Sequence, residues 1–308
     1  MRSIKILFNP SSGSGRSNRK ENFIKKVLNN YRLDHDFIIT QSEHHMVDEA
    51  KESAMKDQDI VCIGGDTSFS LVAEKILEIR RSSSRLGMVG TGSANDIPVG
   101  LGCGDISDLF SCVKENKTKK MDVGSFRING GKEKIFLGTL SAGLGVSVNR
   151  YLEEFKKNNP RVAKATPFLE FIRGAFGVKH SFDSGEIPKN IKVRSEQFRG
   201  ALKFSLLLFL NTPLYAKGIK LSPDASSFDG LLDCCIVNTV SLKDTFNLLH
   251  KIKNRSNDPE KRLKIIKGTS FNIEFDRSSS IQFDGEIIDG IQNLDVSTGK
   301  MQLEIFCS

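Results

Sequence analysis

Gly64-Gly65-Asp66 is the stretch of this chain best suited to chemistry. The short apolar run Asp59-Ile60-Val61-Cys62-Ile63 precedes it and reads as a buried parallel strand. After it, Phe69, Val72, Ala73 and Ile76 recur at i, i+3, i+4 and i+7, one face of an amphipathic helix. Strand, two glycines and helix make a place where main chain can approach a phosphate. Glycine lacks the Cβ barrier, and the first N–H groups of a helix are free donors. Asp66 puts a negative charge where an anion would sit. If phosphates bind here, its carboxylate faces a Mg2+ ion or a hydroxyl proton rather than the phosphate itself. The plainer reading is a strand-to-helix turn with Asp66 as N-cap.

The elements around this stretch decide between the two. Residues 1–123 alternate strand and helix: a strand over Ile4 to Phe8, a helix face of Ile24, Val27, Leu28 and Tyr31, and a strand over Phe37 to Thr40. A second helix follows around Met46, Val47, Ala50 and Ala54, and a further strand over Leu86 to Val89. Such alternation implies a parallel sheet with helices on both faces, and ligands bind such sheets at the carboxyl ends of strands. The segments leaving the strands are Asn9-Pro10-Ser11-Ser12-Gly13, Thr40, Gly64-Gly65-Asp66 and Gly92-Ser93-Ala94-Asn95-Asp96. All are small, polar or glycine-rich, so they can converge on one polyphosphate.

Beyond Met121-Asp122-Val123-Gly124 strand-like segments dominate, over Lys134 to Ser141, Ile191 to Arg194, Phe204 to Leu210, Asp233 to Val237, Ser270 to Phe275, Ile281 to Asp284 and Met301 to Phe306. Helical patterns interrupt them near Val148 to Phe155, Phe168 to Val178 and Leu242 to Ile252. The expected fold is therefore an α/β domain over 1–123 and a mainly β domain, sandwich or barrel, over 124–299. The last strand, about 300–308, is a candidate to complete the first domain.

Composition narrows the partners. The chain has 308 residues, a length comfortable for two domains, with a formal net charge of +8 that favours acidic partners. It has 21 Phe, no Trp and no basic stretch interleaved with aromatics, so nucleic acid is the least favoured of them. The six cysteines show no metal-binding spacing and read as buried thiols of a reducing compartment. The N-terminal apolar run is too short for a signal peptide, and no window reaches a membrane span, so the expected location is cytoplasmic. Lys156-Lys157-Asn158-Asn159-Pro160-Arg161 and the segment from Lys251 to Lys264 are basic. They read first as solvated helix ends and loops, and second as contacts for anionic lipid headgroups.

Taken in order, the motifs resemble the diacylglycerol kinase catalytic domain family, which includes bacterial lipid kinases and sphingosine kinases. Asn9-Pro10-Ser11-Ser12-Gly13 is similar to its first-strand loop, Gly64-Gly65-Asp66 to its nucleotide loop and Gly92-Ser93-Ala94-Asn95-Asp96 to its third loop. Asn211-Thr212-Pro213, Ser222-Pro223-Asp224-Ala225 and Asp229-Gly230-Leu231-Leu232-Asp233 resemble the second-domain signature, and Phe283-Asp284-Gly285-Glu286 the closing motif. Where the family has Gly-Thr after the nucleotide-loop aspartate, this chain has Thr67-Ser68; Leu71 replaces a polar residue and Gly90 a frequent proline.

The resemblance implies an α/β nucleotide-binding domain, a β-sandwich lipid domain, ATP, Mg2+ and transfer of the γ-phosphoryl group to a lipid hydroxyl, diacylglycerol-like by default. It implies that Asn9, Pro10, Ser11, Ser12, Gly13, Thr40, Gly64, Gly65, Asp66, Thr67, Ser68, Ser93 and Asn95 line ATP. It makes Asp284, Glu286 and Asp66 the catalytic carboxylates, with Asp284 or Glu286 taking the hydroxyl proton. Asp122 would belong to a Mg2+-linked network, and Asp229 with carbonyls near Ser226 and Leu231 to a second metal site. On residues alone, Asp229-Gly230 reads as a β-turn and Asp284-Gly285 as a hairpin turn. The partner implied is a lipid at the inner membrane face. Candidate residues to line its cleft lie in Phe136 to Val146 and Phe168 to Phe176, where core packing is the plainer reading. Oligomeric state is not legible, and a homodimer is compatible with the sequence. Two other readings stay open: a catalytically silent relative that binds nucleotide or lipid, and an NAD kinase.

Overall fold

The computed structural model describes residues 3–308 apart from 14, 16, 80–81, 104, 159–166, 186, 188 and 254–261; the side chains of 19, 156, 167–172 and 253 also lie outside the description. The basic stretches 156–161 and 251–264 fall largely in these gaps.

The first half runs β1 (Ile4–Phe8), α1 (Glu21–Tyr31), β2 (His35–Ile39), α2 (Glu43–Met55), β3 (Asp59–Gly64), α3 (Asp66–Glu78), β4 (Leu86–Gly90), α4 (Asp96–Gly100) and α5 (Ile106–Glu115). Next come β5 (Thr118–Ile128), β6 (Glu133–Phe136), β7 (Thr139–Gly143), α6 (Leu144–Asn158), α7 (Pro167–Asp183), β8 (Lys189–Ser195), β9 (Arg199–Phe204) and β10 (Leu206–Leu210). The chain closes with β11 (Leu232–Val237), α8 (Leu242–Lys253), β12 (Leu263–Gly268), β13 (Ser270–Phe283) and β14 (Glu286–Phe306).

β1 pairs in parallel with both β2 and β3, and β3 with β4. The chain order reverses between β1 and β3, the kind of switch point where open α/β sheets hold ligands. Both faces of β1, β3 and β4 are covered, which is why these strands are nearly continuous apolar runs, whereas the edge strand β2 leaves Asp36 and Ile39 exposed. Leu7, Ile60, Cys62 and Met88 point to one face, where Met46 and Ala50 of α2 and Phe69, Val72 and Ala73 of α3 pack. Ile6, Phe8, Val61, Ile63 and Val89 point to the other, against Ile24 and Leu28 of α1 and Leu109 and Phe110 of α5.

The second half is antiparallel. The sheet order β12-β11-β10-β7-β13-β14 continues into β4 through one parallel pair, Ile305 to Leu86. β5 and β6 pair beside β14, and β8 and β9 beside β13. Phenylalanine builds the second core: Phe126, Phe136, Phe204, Phe209, Phe271, Phe275 and Phe283 share one cluster.

Three strand expectations need correction. The run from Lys134 to Ser141 is two strands, because Leu137, Gly138 and Thr139 turn their N–H groups toward the Asp284 carboxylate. The strands expected over Ser270 to Phe275 and Ile281 to Asp284 are one strand, Ser270–Phe283, with register shifts near Ser279, and Asp284 lies in the turn that follows. The strand expected over Met301 to Phe306 begins at Glu286.

Candidate active site

The phosphate-type loops meet at the carboxyl ends of β1, β3 and β4. A Cβ added to Gly92 would lie 2.7 Å from the Cα of Gly65, and one added to Gly13 would lie 2.6 Å from the Thr91 carbonyl oxygen. Ser12 Oγ lies 3.4 Å from the Cβ position of Gly65. The three loops are thus in van der Waals contact through glycines. Gly13 also has φ +60°, the left-handed conformation that glycine adopts without a Cβ penalty. Thr91 and Gly92 donate their N–H groups to the Gly64 carbonyl, at 2.7 and 3.2 Å, tying the third loop to the second.

Several predicted lining residues spend their polar atoms on this architecture. Asn9 Nδ2 donates to Ser68 Oγ at 3.1 Å, and Asn9 Oδ1 accepts from the Ser11 N–H at 3.0 Å. Ser68 is buried against Gly64, so its hydroxyl faces the strand end. Thr40 is buried and donates both its N–H and its hydroxyl to the Phe8 carbonyl. Asn95, at φ +58°, accepts from Gly92 N–H at 2.7 Å and donates back to Gly92 O at 3.1 Å. Gly90 makes room for this: a Cβ there would meet Asn95 Cβ at 2.8 Å. Pro10, Ser12 and Gly13 are half-buried, while Ser11 and Ser93 are exposed at the rim.

Asp66 is the first residue of α3, whose N-cap is Gly65. The N-cap reading of Asp66 is therefore wrong for its own helix. Its carboxylate accepts instead from the Asp96 and Ile97 N–H groups that open α4, at 3.1 and 3.2 Å. Burial pushes Asp66 up to about 6, helped by the negative charges of Asp284 and Asp96. Asp96 in turn accepts from the Lys217 and Gly218 N–H groups of the second half, at 2.9 and 3.0 Å.

Asp284 comes from the β13–β14 turn and reaches the same place. Its Oδ1 accepts from Gly138 and Thr139 N–H, both at 3.1 Å, and its Oδ2 from Leu137 N–H and Ser70 Oγ, both at 2.6 Å. Burial pushes its pKa up, against these hydrogen bonds, which pull it down. Thr67 Oγ1 donates to its carbonyl at 2.9 Å. Glu286, at the head of β14, is exposed.

Asp122 is buried in β5, and its carboxylate accepts from Gly230 N–H at 2.8 Å and Gln302 Nε2 at 2.9 Å. It is thereby joined to the Asp229 loop, whereas the charges acting on Asp66 are those of Asp284 and Asp96. Asp229 accepts from Leu231 N–H at 3.0 Å and Ser226 Oγ from Phe228 N–H at 3.2 Å, the geometry of a polar turn. Ser70, the N–H groups of Leu137 to Thr139 and Gln302 are members of the site that the sequence reading does not name. The signal for Ser70 was its place one turn after Asp66 on α3. The others depend on pairings between distant segments.

Among the described residues, no three His, Cys, Asp or Glu side chains gather as a metal site. Mg2+ takes one or two carboxylates and completes its shell with water and substrate phosphates. Asp66 is a hard oxygen donor of that kind, within electrostatic reach of Asp284 and Asp96 and beside loops that a Cβ would fill. The candidate cleft-lining residues fare differently. Phe136, Leu137, Leu140 and Ala142 are core residues with no exposure.

The diacylglycerol kinase catalytic domain matches residues 3–126, and the YegS C-terminal NAD kinase beta sandwich-like domain matches residues 138–301. The chain belongs to the YegS-like diacylglycerol kinase family. Two solved structures from Bacillus anthracis str. Sterne share the fold along 100% of this chain and 97% of theirs. One, described as a diacylglycerol kinase, is 17% identical with a TM-score of 0.69; the other is 18% identical with a TM-score of 0.73. An NAD kinase from Archaeoglobus fulgidus in complex with ATP covers 99% of this chain and 93% of its own, at 8% identity and a TM-score of 0.49, too distant to carry an argument. No curated protein matches the chain significantly. The family's kinase-type catalytic domain thus accounts for the α/β half, and its β-sandwich for the other. Among the described residues no helix is long and apolar enough to cross a membrane.

Proposed function

We propose that this chain is an ATP-dependent lipid kinase that moves the γ-phosphoryl group of ATP to a lipid hydroxyl, with a diacylglycerol-like acceptor as the default. One observation carries the reading: the Asp284-Gly285-Glu286 turn of the second half is bonded to α3 directly behind the glycine loops of the first, through Ser70 and Thr67. Phosphoryl transfer needs a phosphate cradle, charge neutralisation and a base aimed at the nucleophile. The glycine loops supply the cradle, and Asp66 is the residue that would hold Mg2+. Mg2+, when bound, would neutralise charge on the phosphates. All four acceptor positions of the Asp284 carboxylate are filled, so its part is to hold the turn. Glu286 is the carboxylate left to receive the hydroxyl proton. The acceptor would meet the nucleotide at the inner membrane face, between residues 1–123 and 124–299.

The test is transfer of labelled phosphate from ATP with Mg2+ into a total lipid extract, comparing wild type, Glu286→Gln and Asp284→Asn. Labelled lipid from wild type, lost in Glu286→Gln while its fold is intact, supports the assignment. ATP binding without any labelled lipid from the wild type would sink it and favour a silent nucleotide-binding relative.

A further inference from the structure

The turn from Tyr215 to Ile219 is closed at its base by two main-chain hydrogen bonds, Tyr215 N–H to Ile219 O at 2.9 Å and Ile219 N–H to Tyr215 O at 2.8 Å. Between them Ala216, Lys217 and Gly218 all have positive φ, at 47°, 68° and 97°. Left-handed backbone is costly for Ala and Lys, and it persists only where the surroundings impose it. All three residues are exposed, so core packing does not impose it. The base of the turn belongs firmly to the second half. Tyr215 and Ile219 pack against the cluster of Leu208, Leu210 and Leu221, and the Tyr215 hydroxyl lies 2.3 Å from where a Cβ on Gly145 would stand.

The conformation aims the adjacent N–H groups of Lys217 and Gly218 at one carboxylate, the nest by which main chain holds an anion. That carboxylate is Asp96, whose Oδ2 accepts from Lys217 at 2.9 Å and whose Oδ1 accepts from Gly218 at 3.0 Å. Asp96 is the first residue of α4, and it faces both ways. Its side chain enters the nest, while its own N–H and that of Ile97 go to Oδ2 and Oδ1 of Asp66. Asn95, the N-cap of α4, does not serve these N–H groups, because its side chain is bonded to Gly92. Each Asp66 oxygen takes one N–H, which orients the carboxylate and leaves each oxygen a further acceptor position for a cation.

We propose that the Tyr215–Ile219 turn is a clasp by which the second half positions Asp66 of the first for Mg2+, with Asp96 as the positioning residue between them. The inference rests on the kinase reading, which makes Asp66 the Mg2+ carboxylate. The clasp adds a condition to it: Asp66 is set for its cation only while the two halves are joined at Asp96. Asp96 acts through Asp66, so its loss is felt in the Mg2+-dependent part of nucleotide binding and not in the part that the glycine loops supply.

The test is a double-mutant cycle read by calorimetry as the gain in ATP affinity that Mg2+ brings. Asp96→Ala should cut that gain about fivefold and leave ATP affinity without Mg2+ within about twofold of wild type. Gly218→Pro removes one donor and forbids the turn without altering any charge, and it should reproduce the loss. In an Asp66→Asn background neither change should reduce the gain further. Asp96→Asn keeps the shape and one acceptor; it should give an intermediate loss, and it serves where Asp96→Ala does not fold. Losses that add to that of Asp66→Asn, or an undiminished gain in Asp96→Ala and Gly218→Pro, would overturn the clasp alone. A wild type that binds ATP equally with and without Mg2+ would instead overturn the role of Asp66 in the kinase reading, and the clasp with it.

Discussion

Thr67 Oγ1 donates to the main-chain carbonyl of Asp284 at 2.9 Å, joining the start of α3 to the β13–β14 turn across 217 residues of sequence. The contact is tight on both sides. Gly285 has φ +102°, and a Cβ there would lie 2.5 Å from the same hydroxyl. Thr67 stands where the family has glycine, and the structure explains that departure, because the side chain fastens the turn that carries Asp284 and Glu286. Thr67→Val keeps the shape and removes the donor, which costs about 1 kcal/mol of stability in urea unfolding. Thr67→Ser should stay near wild type. Thr67→Gly should lose both stability and phosphate transfer; a gain of transfer would show that the threonine marks decay of the site.

Gly92→Ala tests the loop contact. The new methyl would sit 2.7 Å from Gly65 Cα and 3.0 Å from Asn95 Oδ1, and both neighbours belong to the loops themselves. The loops must part. Nucleotide affinity measured by calorimetry should fall at least about tenfold, roughly 1.4 kcal/mol. Secondary structure should be unchanged, since the strands behind the loops are not touched. Unaltered ATP affinity would remove these loops from the binding site.

The α/β half was legible because its signals are local. Strands bounded by turn residues and a 3.6-residue repeat of apolar side chains need no knowledge of distant pairing. Even so, α5 carries a signal that the reading of alternation passes over: Asp105 caps it, and Leu109, Phe110 and Val113 form its buried face. What could not be read is the traffic between halves. Leu137 and Gly138 look like mid-strand residues, and only the Asp284 carboxylate explains the break there. β14 was hidden because only its end, Met301 to Phe306, reads as a strand in the sequence. Its earlier part alternates around polar residues and is defined by pairing with β5 and β13.

Asp66 gives the protein a pH dependence with a definite sign. Its folded value is about 6, against 3.8 for the free side chain. Between those values the folded chain holds a proton that the unfolded chain has released. Stability from this group is therefore complete below 3.8 and is lost as pH rises toward 6. Burial pushes Asp96 and Asp284 up as well, so they slope the same way. Urea unfolding across this window should show stability falling with pH in wild type, and a shallower fall in Asp66→Asn. Equal slopes would mean that Asp66 ionises at its ordinary value. Phosphate transfer should run opposite to stability, rising as Asp66 becomes an anion able to hold Mg2+.

Asn211 is the hub behind the site. It has no exposure, and its Nδ2 donates to the Asp122 carbonyl at 2.9 Å and to the Leu137 carbonyl at 2.8 Å. Its N–H donates to Gly138 O at 2.9 Å, and its own carbonyl accepts from Ser227 Oγ at 2.5 Å. One side chain thus spans the strand that carries Asp122 and the peptides whose N–H groups hold Asp284. Asn211→Leu preserves approximate volume and strands two buried carbonyls, a loss of about 1–3 kcal/mol for each. Asn211→Asp should be worse, because a buried carboxylate would face the same carbonyls as an acceptor. In both variants phosphate transfer should fall more than nucleotide affinity, since these hydrogen bonds of Asn211 run to Asp122, Leu137, Gly138 and Ser227. The expected order in chemical denaturation is wild type, then Leu, then Asp. A midpoint for Asn211→Leu equal to wild type would show that the two carbonyls do not depend on it.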